Sequence, residues 1–243
     1  MNSTATSASF ETQRQLREAQ AIAAELMARR ALRDVYFWMT RCTKTLDEQD
    51  IENPYKPFPQ DQYIRHVIDS LRNEPVWNMM KSRTMLMTWI VCAYCAHTAF
   101  NRPATGVLFY SQDEDRSVHC VNCVKTLWEN SLPSLKHYWK LAKPLPKQPY
   151  NRLDMANNSW FLGIPGQNPD KIRSFHPTIV AIDEAAFVER YEEAYNIAVA
   201  TRCPQIISWS SANEGHFDEI FRSSMPDDWP DYSESEQLAD VPV

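Results

Sequence analysis

The sequence predicts an α/β fold: a mostly parallel sheet with helices on both faces, preceded by N-terminal helices. Three observations carry this. From residue 76 onward, short apolar runs alternate with longer segments of helix-forming residues. The runs "VWNMM", "TGVLFYSQ", "TIVAIDEAAF" and "PQIISWSSAN" are largely continuous in apolar character, the pattern of strands buried on both faces. The last two end in polar residues, and ligands in such sheets bind outside the carboxyl ends of the strands.

The elements follow in order. Residues 1–9 read as disordered. The segment "FETQRQLREAQAIAAELMARRALRDVYFWMTRCTKTL" reads as a helix followed by a second, aromatic one. Leu16, Ala19, Ala23 and Leu26 recur at helical spacing, so the first helix is expected to pack that stripe on a core. "ENPYKPFPQDQ" is a proline-rich connector and "QYIRHVIDSLRN" a helix. "VWNMM" is a buried strand and "TWIVCAYCAHTAF" a buried helix. "TGVLFYSQ" is the next strand, and Asp113 is placed to cap the helix in "DEDRSVHCVNCVKTLWEN". "SLPSLKHYWKLAKPLPKQP" gives a short helix and a loop. "RLDMANNSWFLGIPG" reads as a hairpin, with Asn157-Asn158 supplying the left-handed turn. A strand over "TIVAID", a helix over "EEAYNIAVATR" and a last strand over "PQIISW" complete the sheet. The acidic, proline-bearing tail "PDDWPDYSESEQLADVPV" reads as disordered. The division expected is a helical segment over 1–50, the main domain over 51–225 and the tail over 226–243.

Composition narrows the function classes. The 243 residues are 44% hydrophobic and 23% charged, enough for a packed core. No window approaches 18 uninterrupted apolar residues and the N-terminus lacks an apolar signal segment, so neither a membrane span nor secretion is expected. A net charge of −6 argues against a stand-alone nucleic-acid module held by phosphate contacts, while leaving room for a local patch or an assembled ring. Four glycines are few, so most loops are made without them. Four of the six cysteines form two C-x-x-C pairs, Cys92/Cys95 and Cys120/Cys123. They lie in helical runs and read as small core residues in a reducing compartment. The rival reading is a non-enzymatic zinc protein built on those four thiols.

The chemistry concentrates in three places. "TIVAIDEAAF" has the form of a Walker B strand. Asp183 at the tip is suited to a Mg²⁺ shell and Glu184 to polarising a water for attack on a γ-phosphate. Upstream, "KSRTMLMT" sits where a strand–loop–helix unit keeps its phosphate loop. Aligned on Thr88, it places Lys81 and Leu86 at the two glycines of G-x-x-x-x-G-K-[ST] and Met87 at the lysine. Downstream, Ser210, Ser211 and Asn213 lie on the strand end after the acidic pair, beside the expected γ-phosphate.

In this order the motifs resemble the ATPase domain of the large terminase subunit, the DNA-packaging motor of tailed bacteriophages. The resemblance runs from about residue 34 to residue 222 and rests on three further blocks. "IRSFHPTIVAIDEAAFVE" is similar to that family's Walker B block, "SSAN" to its coupling motif, and "KPFPQDQYIRHVI" to its adenine-contacting segment. The family tolerates a deviant phosphate loop with a basic residue near its start, as at Lys81, and an arginine within it, as at Arg83. The resemblance implies a P-loop NTPase of the ASCE type that hydrolyses ATP with Mg²⁺. Residues Lys81, Ser82, Arg83, Thr84, Met85, Leu86, Met87 and Thr88 would cradle phosphate, with Asp183 and Thr88 serving the metal. Glu184 would be the base and Asn213, with Ser210 and Ser211, the coupling element. Phe58 and Gln62 would lie beside adenine, and Arg173 would reach a neighbour's ATP. The partners implied are double-stranded DNA, a portal protein, a small terminase subunit and a homo-oligomeric ring on a procapsid, in the cytoplasm of an infected host. The sequence departs from the family in having no glycine in the loop and no room for the C-terminal nuclease, so no nuclease activity is expected. The alternative within the class is another nucleic-acid-dependent motor such as a helicase.

Overall fold

The computed structural model describes residues 3–82, 85–213 and 215–223, the first ten of these as backbone only. Arg83, Thr84 and the acidic tail lie outside the described residues. The chain opens with α1 (Ser3–Arg33) and α2 (Val35–Cys42), then a small antiparallel pair, β1 (Thr45–Leu46) and β2 (Tyr55–Lys56). Next come α3 (Gln62–Asn73), β3 (Val76–Met80), α4 (Met87–Asn101), β4 (Gly106–Ser111), α5 (Glu114–Glu129) and α6 (Pro133–Tyr138). The remainder is β5 (Arg152–Asp154), β6 (Trp160–Pro165), α7 (Asp170–Phe175), β7 (Ile179–Asp183), α8 (Tyr191–Ala200), β8 (Gln205–Ser210) and α9 (His216–Ser223).

Six strands form one sheet in the order β3-β8-β7-β4-β6-β5. All neighbours run parallel except β5, which pairs with β6 antiparallel as the hairpin expected, with Asn158 at φ 65 in its turn. Successive side chains on a strand point to opposite faces. Accordingly Val107, Phe109, Ile179, Ala181, Ile207 and Trp209 enter the core beneath α2 to α5, while Leu108, Tyr110, Val180, Ile182 and Ile206 enter the core beneath α7 to α9. Both faces are therefore covered, which is why these strands carry no polar alternation. β8 lies between β3 and β7, so the strand that follows the acidic pair sits directly beside the strand that ends next to Lys81.

The left-handed positions show how the chain manages with four glycines. Leu86, Ala104, Asn158, His176, Glu184 and Arg202 all take positive φ. Gly163, by contrast, answers to packing: a Cβ there would stand 2.6 Å from the Ser117 carbonyl of α5.

Two expectations are corrected at the N-terminus. The segment read as disordered is helical from Ser3. The stripe expected to pack is exposed: Leu16 and Leu26 are 57% and 62% accessible, Ala19 and Ala23 are exposed, and over residues 13–33 the buried residues are Ala28 and Ala31 near the C-terminal end of α1. A periodic stripe records helical geometry but does not say what covers it.

Candidate functional site

The site gathers at the carboxyl ends of β3, β7 and β8. β3 and β8 are in register up to Met80 and Ser210, and the next amide, Lys81 N–H, donates to the Ser210 carbonyl at 2.8 Å. That bond fixes where the loop departs. At its far end Leu86 sits at φ 52, and α4 begins at Met87 with no side-chain cap. Leu86 occupies the position of the second glycine in the usual pattern, and it carries the left-handed turn despite its Cβ, at a cost of about 1–2 kcal/mol. A 15-residue helix whose first turn lacks a side-chain cap presents backbone N–H groups and the positive end of its dipole to an anion.

Asp183 ends β7 and is 6% exposed. Its Oδ1 accepts from the Thr88 hydroxyl at 3.4 Å, which joins the tip of β7 to the first turn of α4. The Ser111 hydroxyl donates to the Asp183 carbonyl at 3.3 Å, and the Trp209 indole N–H donates to the Thr88 hydroxyl at 3.4 Å. Burial, with the neighbouring Glu184 carboxylate, pushes Asp183 up to about 6.

Glu184 follows at φ 48, a left-handed residue that turns the chain out of the strand and its own side chain towards the loop. Its Oε1 accepts from Lys81 Nζ at 2.7 Å, with both side chains largely buried. Its Oε2 accepts from the Ser211 amide at 3.0 Å and the Ser210 hydroxyl at 3.3 Å. Burial pushes Glu184 up, but the Lys81 ammonium and the bonds from Ser211 and Ser210 outweigh it and hold the carboxyl below its ordinary range. Lys81 Nζ also donates to the Ser211 hydroxyl at 3.3 Å. Ser210 accepts from the Ala186 amide at 3.1 Å, and Asn213 donates to the Ala186 carbonyl at 3.2 Å, so all three residues of the β8 tip grip the turn that carries Glu184.

Lys81, Thr88, Asp183, Glu184, Ser210 and Ser211 are thus brought together. Met87 is 2% exposed and belongs to the core, so it replaces no phosphate-binding lysine. Ser82 is exposed, Met85 and Leu86 are half-buried, and Arg83 and Thr84 fall outside the described residues. Phe58 is 2% exposed inside the core, so its ring offers no open face to adenine. Gln62 is exposed at the start of α3. The residue beside it, Tyr63, carries no motif signal in the sequence, yet its hydroxyl donates to the Met85 carbonyl at 3.1 Å and ties α3 to the segment that leads into α4. Arg173 stands on α7, away from this cluster, with a 62%-exposed side chain 3.8 Å from Asp170. The four paired cysteines are buried in α4 and α5, where Cys92 donates to the Cys120 carbonyl and burial pushes its thiol well up.

Asp183 and Thr88 offer the hard oxygen donors that Mg²⁺ prefers. Among the described residues no three His, Cys, Asp or Glu side chains are arranged to hold a metal by themselves.

A buried carboxylate with a raised pKa has a stability signature. The unfolded chain ionises Asp183 at its ordinary 3.8, the folded chain at about 6, so the folded state is disfavoured progressively as pH rises through that window. Above it the cost is on the order of 3 kcal/mol. Asp183→Asn, measured in a chelator, is therefore expected to raise Tm by several degrees at pH 7 and to converge on the wild type near pH 4. A Tm gap that does not change with pH would place the effect elsewhere.

No protein-family model and no curated protein matches this chain. Solved structures do. The Thermus phage P74-26 large terminase ATPase domain is 16% identical, with TM-score 0.50 over 69% of this chain and 70% of that one. A mutant form of the same domain is 17% identical with TM-score 0.51 and the same coverage. The HK97 bacteriophage large terminase is 14% identical with TM-score 0.55 over 78% of this chain, which spans 40% of the HK97 protein. At these identities the likeness is one of fold alone. Among the described residues no helix is long and apolar enough to cross a membrane.

Proposed function

We propose that this chain is the ATPase of a phage DNA-packaging motor, hydrolysing Mg-ATP to drive double-stranded DNA into a procapsid. The observation that carries the reading is the Lys81–Glu184 pair at 2.7 Å beside Thr88 and Asp183, assembled from three strand ends under the uncapped start of α4. An ordinary strand end with two solvated acids would not hold one carboxylate in an ammonium, an amide and a hydroxyl while burying the other.

The roles follow from the chemistry of each group. The α4 amides and Lys81 would bind the phosphates, and Arg83, Ser82 and Thr84 would complete the loop around them. Asp183 and Thr88 would hold Mg²⁺, which when bound neutralises charge on the β- and γ-phosphates. Glu184 would orient a water for in-line attack and take its proton. While Lys81 holds Glu184, that base is partly neutralised. A γ-phosphate competing for Lys81 would release the carboxylate for its water, so the site is quiet until loaded. Phosphate loss would be felt at the β8 tip, since Ser210, Ser211 and Asn213 all bond to the Glu184–Ala186 turn. Gln62, with Tyr63 beside it, would meet the adenine. The portal protein, a small terminase subunit, a ring of copies of this chain and a location in the infected host's cytoplasm complete the reading.

The test compares Lys81→Ala with Met87→Ala. Lys81→Ala is expected to weaken Mg-ATP binding tenfold or more, since a charge-assisted bond to phosphate is worth about 1.5–3 kcal/mol. Met87→Ala is expected to lower stability by about 2–5 kcal/mol and leave affinity nearly unchanged in the folded fraction. Nucleotide titration and urea unfolding of both variants separate the two. Equal, small effects on affinity would remove Lys81 from the phosphate site.

A further inference from the structure

We infer that the surface formed by the end of α1, α2 and α3 is a docking site for the phosphate backbone of duplex nucleic acid. Six exposed arginines share it: Arg30, Arg33, Arg41, Arg65, Arg72 and Arg102. They fall into two groups of three. Arg33, Arg72 and Arg102 line a cavity of about 500 Å³ at the end of the sheet opposite the nucleotide site, where β3, β7 and β8 begin. Arg30, Arg41 and Arg65 line a second cavity of about 340 Å³ on the other side of the α1–α2 junction. Among the described residues, none of the six has a carboxylate within ion-pair distance.

The acids on this face are few and partly committed. Asp34 accepts from the Phe37 amide as the N-cap of α2, while Asp69 and Glu74 are exposed. Arginine therefore outnumbers carboxylate here, in a chain whose overall charge is −6. Such a concentration of cation runs against the composition of the rest of the molecule and keeps an unfavourable local repulsion that a polyanion would relieve.

The stereochemistry narrows the ligand. Arg30 lies 4.2 Å over the Phe37 ring and Arg65 4.2 Å over the Tyr36 ring. Stacking holds each guanidinium in place while its N–H edge stays available, the arrangement that suits phosphate oxygens. Arg41 is held instead by a bond from its guanidinium to the Gln60 side-chain oxygen at 3.0 Å. These guanidiniums also cover the two aromatic rings, so the face turned outward is charge rather than apolar anchor. A peptide interface needs buried apolar or aromatic anchors at its centre; a nucleic-acid backbone needs cations with hydroxyl and amide donors beside them. In the larger cavity Asn101 gives one amide N–H to the His97 carbonyl, which leaves its second N–H to serve as such a donor. α3 connects this surface to the nucleotide site, since the same helix carries Tyr63, bonded to the phosphate loop.

The choice of duplex rests on the DNA-motor reading, but the measurement uses no ATP, so a chain that binds without hydrolysing separates the two. The full chain is titrated against a short fluorescent duplex at several salt concentrations. Arg33→Gln/Arg72→Gln/Arg102→Gln and Arg30→Gln/Arg41→Gln/Arg65→Gln are each expected to weaken binding at least about tenfold near 0.1 M salt and to flatten the log–log salt slope by about 0.9 for every phosphate no longer neutralised. Arg30→Lys/Arg41→Lys/Arg65→Lys, which keeps the charge, is expected to retain the slope and lose part of the affinity. Lys143→Gln/Lys147→Gln, on an exposed loop elsewhere, serves as the control. Losses no greater than the control's overturn the inference. It is equally overturned if the wild type binds no duplex, or if inorganic triphosphate or an acidic peptide proves to be the ligand held by these arginines.

Discussion

Glu184→Gln is expected to leave Mg-ATP affinity within a few-fold of wild type while lowering steady-state turnover by about 10²–10⁴, the usual worth of a positioned general base. The substitution is nearly isosteric. A glutamine oxygen can still accept from the Ser211 amide, now 3.0 Å from Oε2, so the β8 tip and the turn after β7 should keep their shape. What disappears is the negative charge that polarises water and the ionic partner of Lys81 at 2.7 Å. Releasing Lys81 removes a competitor for phosphate, so any change in affinity should be towards tighter binding. Single-turnover hydrolysis with nucleotide binding followed in parallel gives both numbers. Unimpaired turnover would reduce Glu184 to a structural acid holding the β8 tip.

How far the sequence reveals this molecule varies from element to element, for physical reasons. β4 and β7 are legible because burial on both faces leaves no polar residue to confuse the pattern, and α5 because Asp113 caps it by accepting from the Arg116 amide at 2.8 Å. The hairpin is legible because Asn158 tolerates the left-handed turn. Asp183 and Glu184 are legible as a pair of acids at a strand tip. Their different environments are not, since one is buried beneath Thr88 and the other is turned by its own positive φ onto Lys81, Ser210 and Ser211. The Lys81–Glu184 pair spans 103 positions in the chain and depends on β8 lying between β3 and β7, a pairing that local periodicity does not encode. Phe58 misleads for a related reason: an aromatic in a proline-rich connector looks available to a base, and only tertiary packing sends it into the core. Leu86 shows the limit of pattern matching. The backbone there takes the left-handed conformation for which glycine is usually selected, and a pattern that asks for glycine does not find it in this sequence.

Arg173→Ala is expected to have the largest effect that leaves the isolated chain almost untouched. Arg173 sits on α7, away from the Lys81–Glu184 cluster, and its one ionic neighbour among the described residues is Asp170 at 3.8 Å on an exposed face. A surface pair of that kind contributes about 0–1 kcal/mol, so the guanidinium can be given up to another partner at little cost. α7 lies beside α8, and Arg173 shares with Glu192 and Glu193 the wall of a cavity of about 390 Å³. A neighbour in a ring could present its nucleotide to this edge. An arginine delivered in trans neutralises charge on the transferring phosphoryl group and is worth about 10³–10⁵ in rate. The monomer should then hydrolyse ATP slowly, with assembly stimulating it, and Arg173→Ala should remove most of that stimulation without altering monomer turnover, ATP affinity or Tm. Mixing provides the decisive arm. In an assembly of Arg173→Ala and Glu184→Gln subunits, a site with an intact Glu184 on one subunit can receive an intact Arg173 from the next, so turnover should recover above that of either variant alone. Absence of recovery in assemblies shown to contain both subunits would return Arg173 to the role of a surface charge paired with Asp170, and the slow hydrolysis of the monomer would have to come from the loop itself, where Leu86 stands in the place of a glycine.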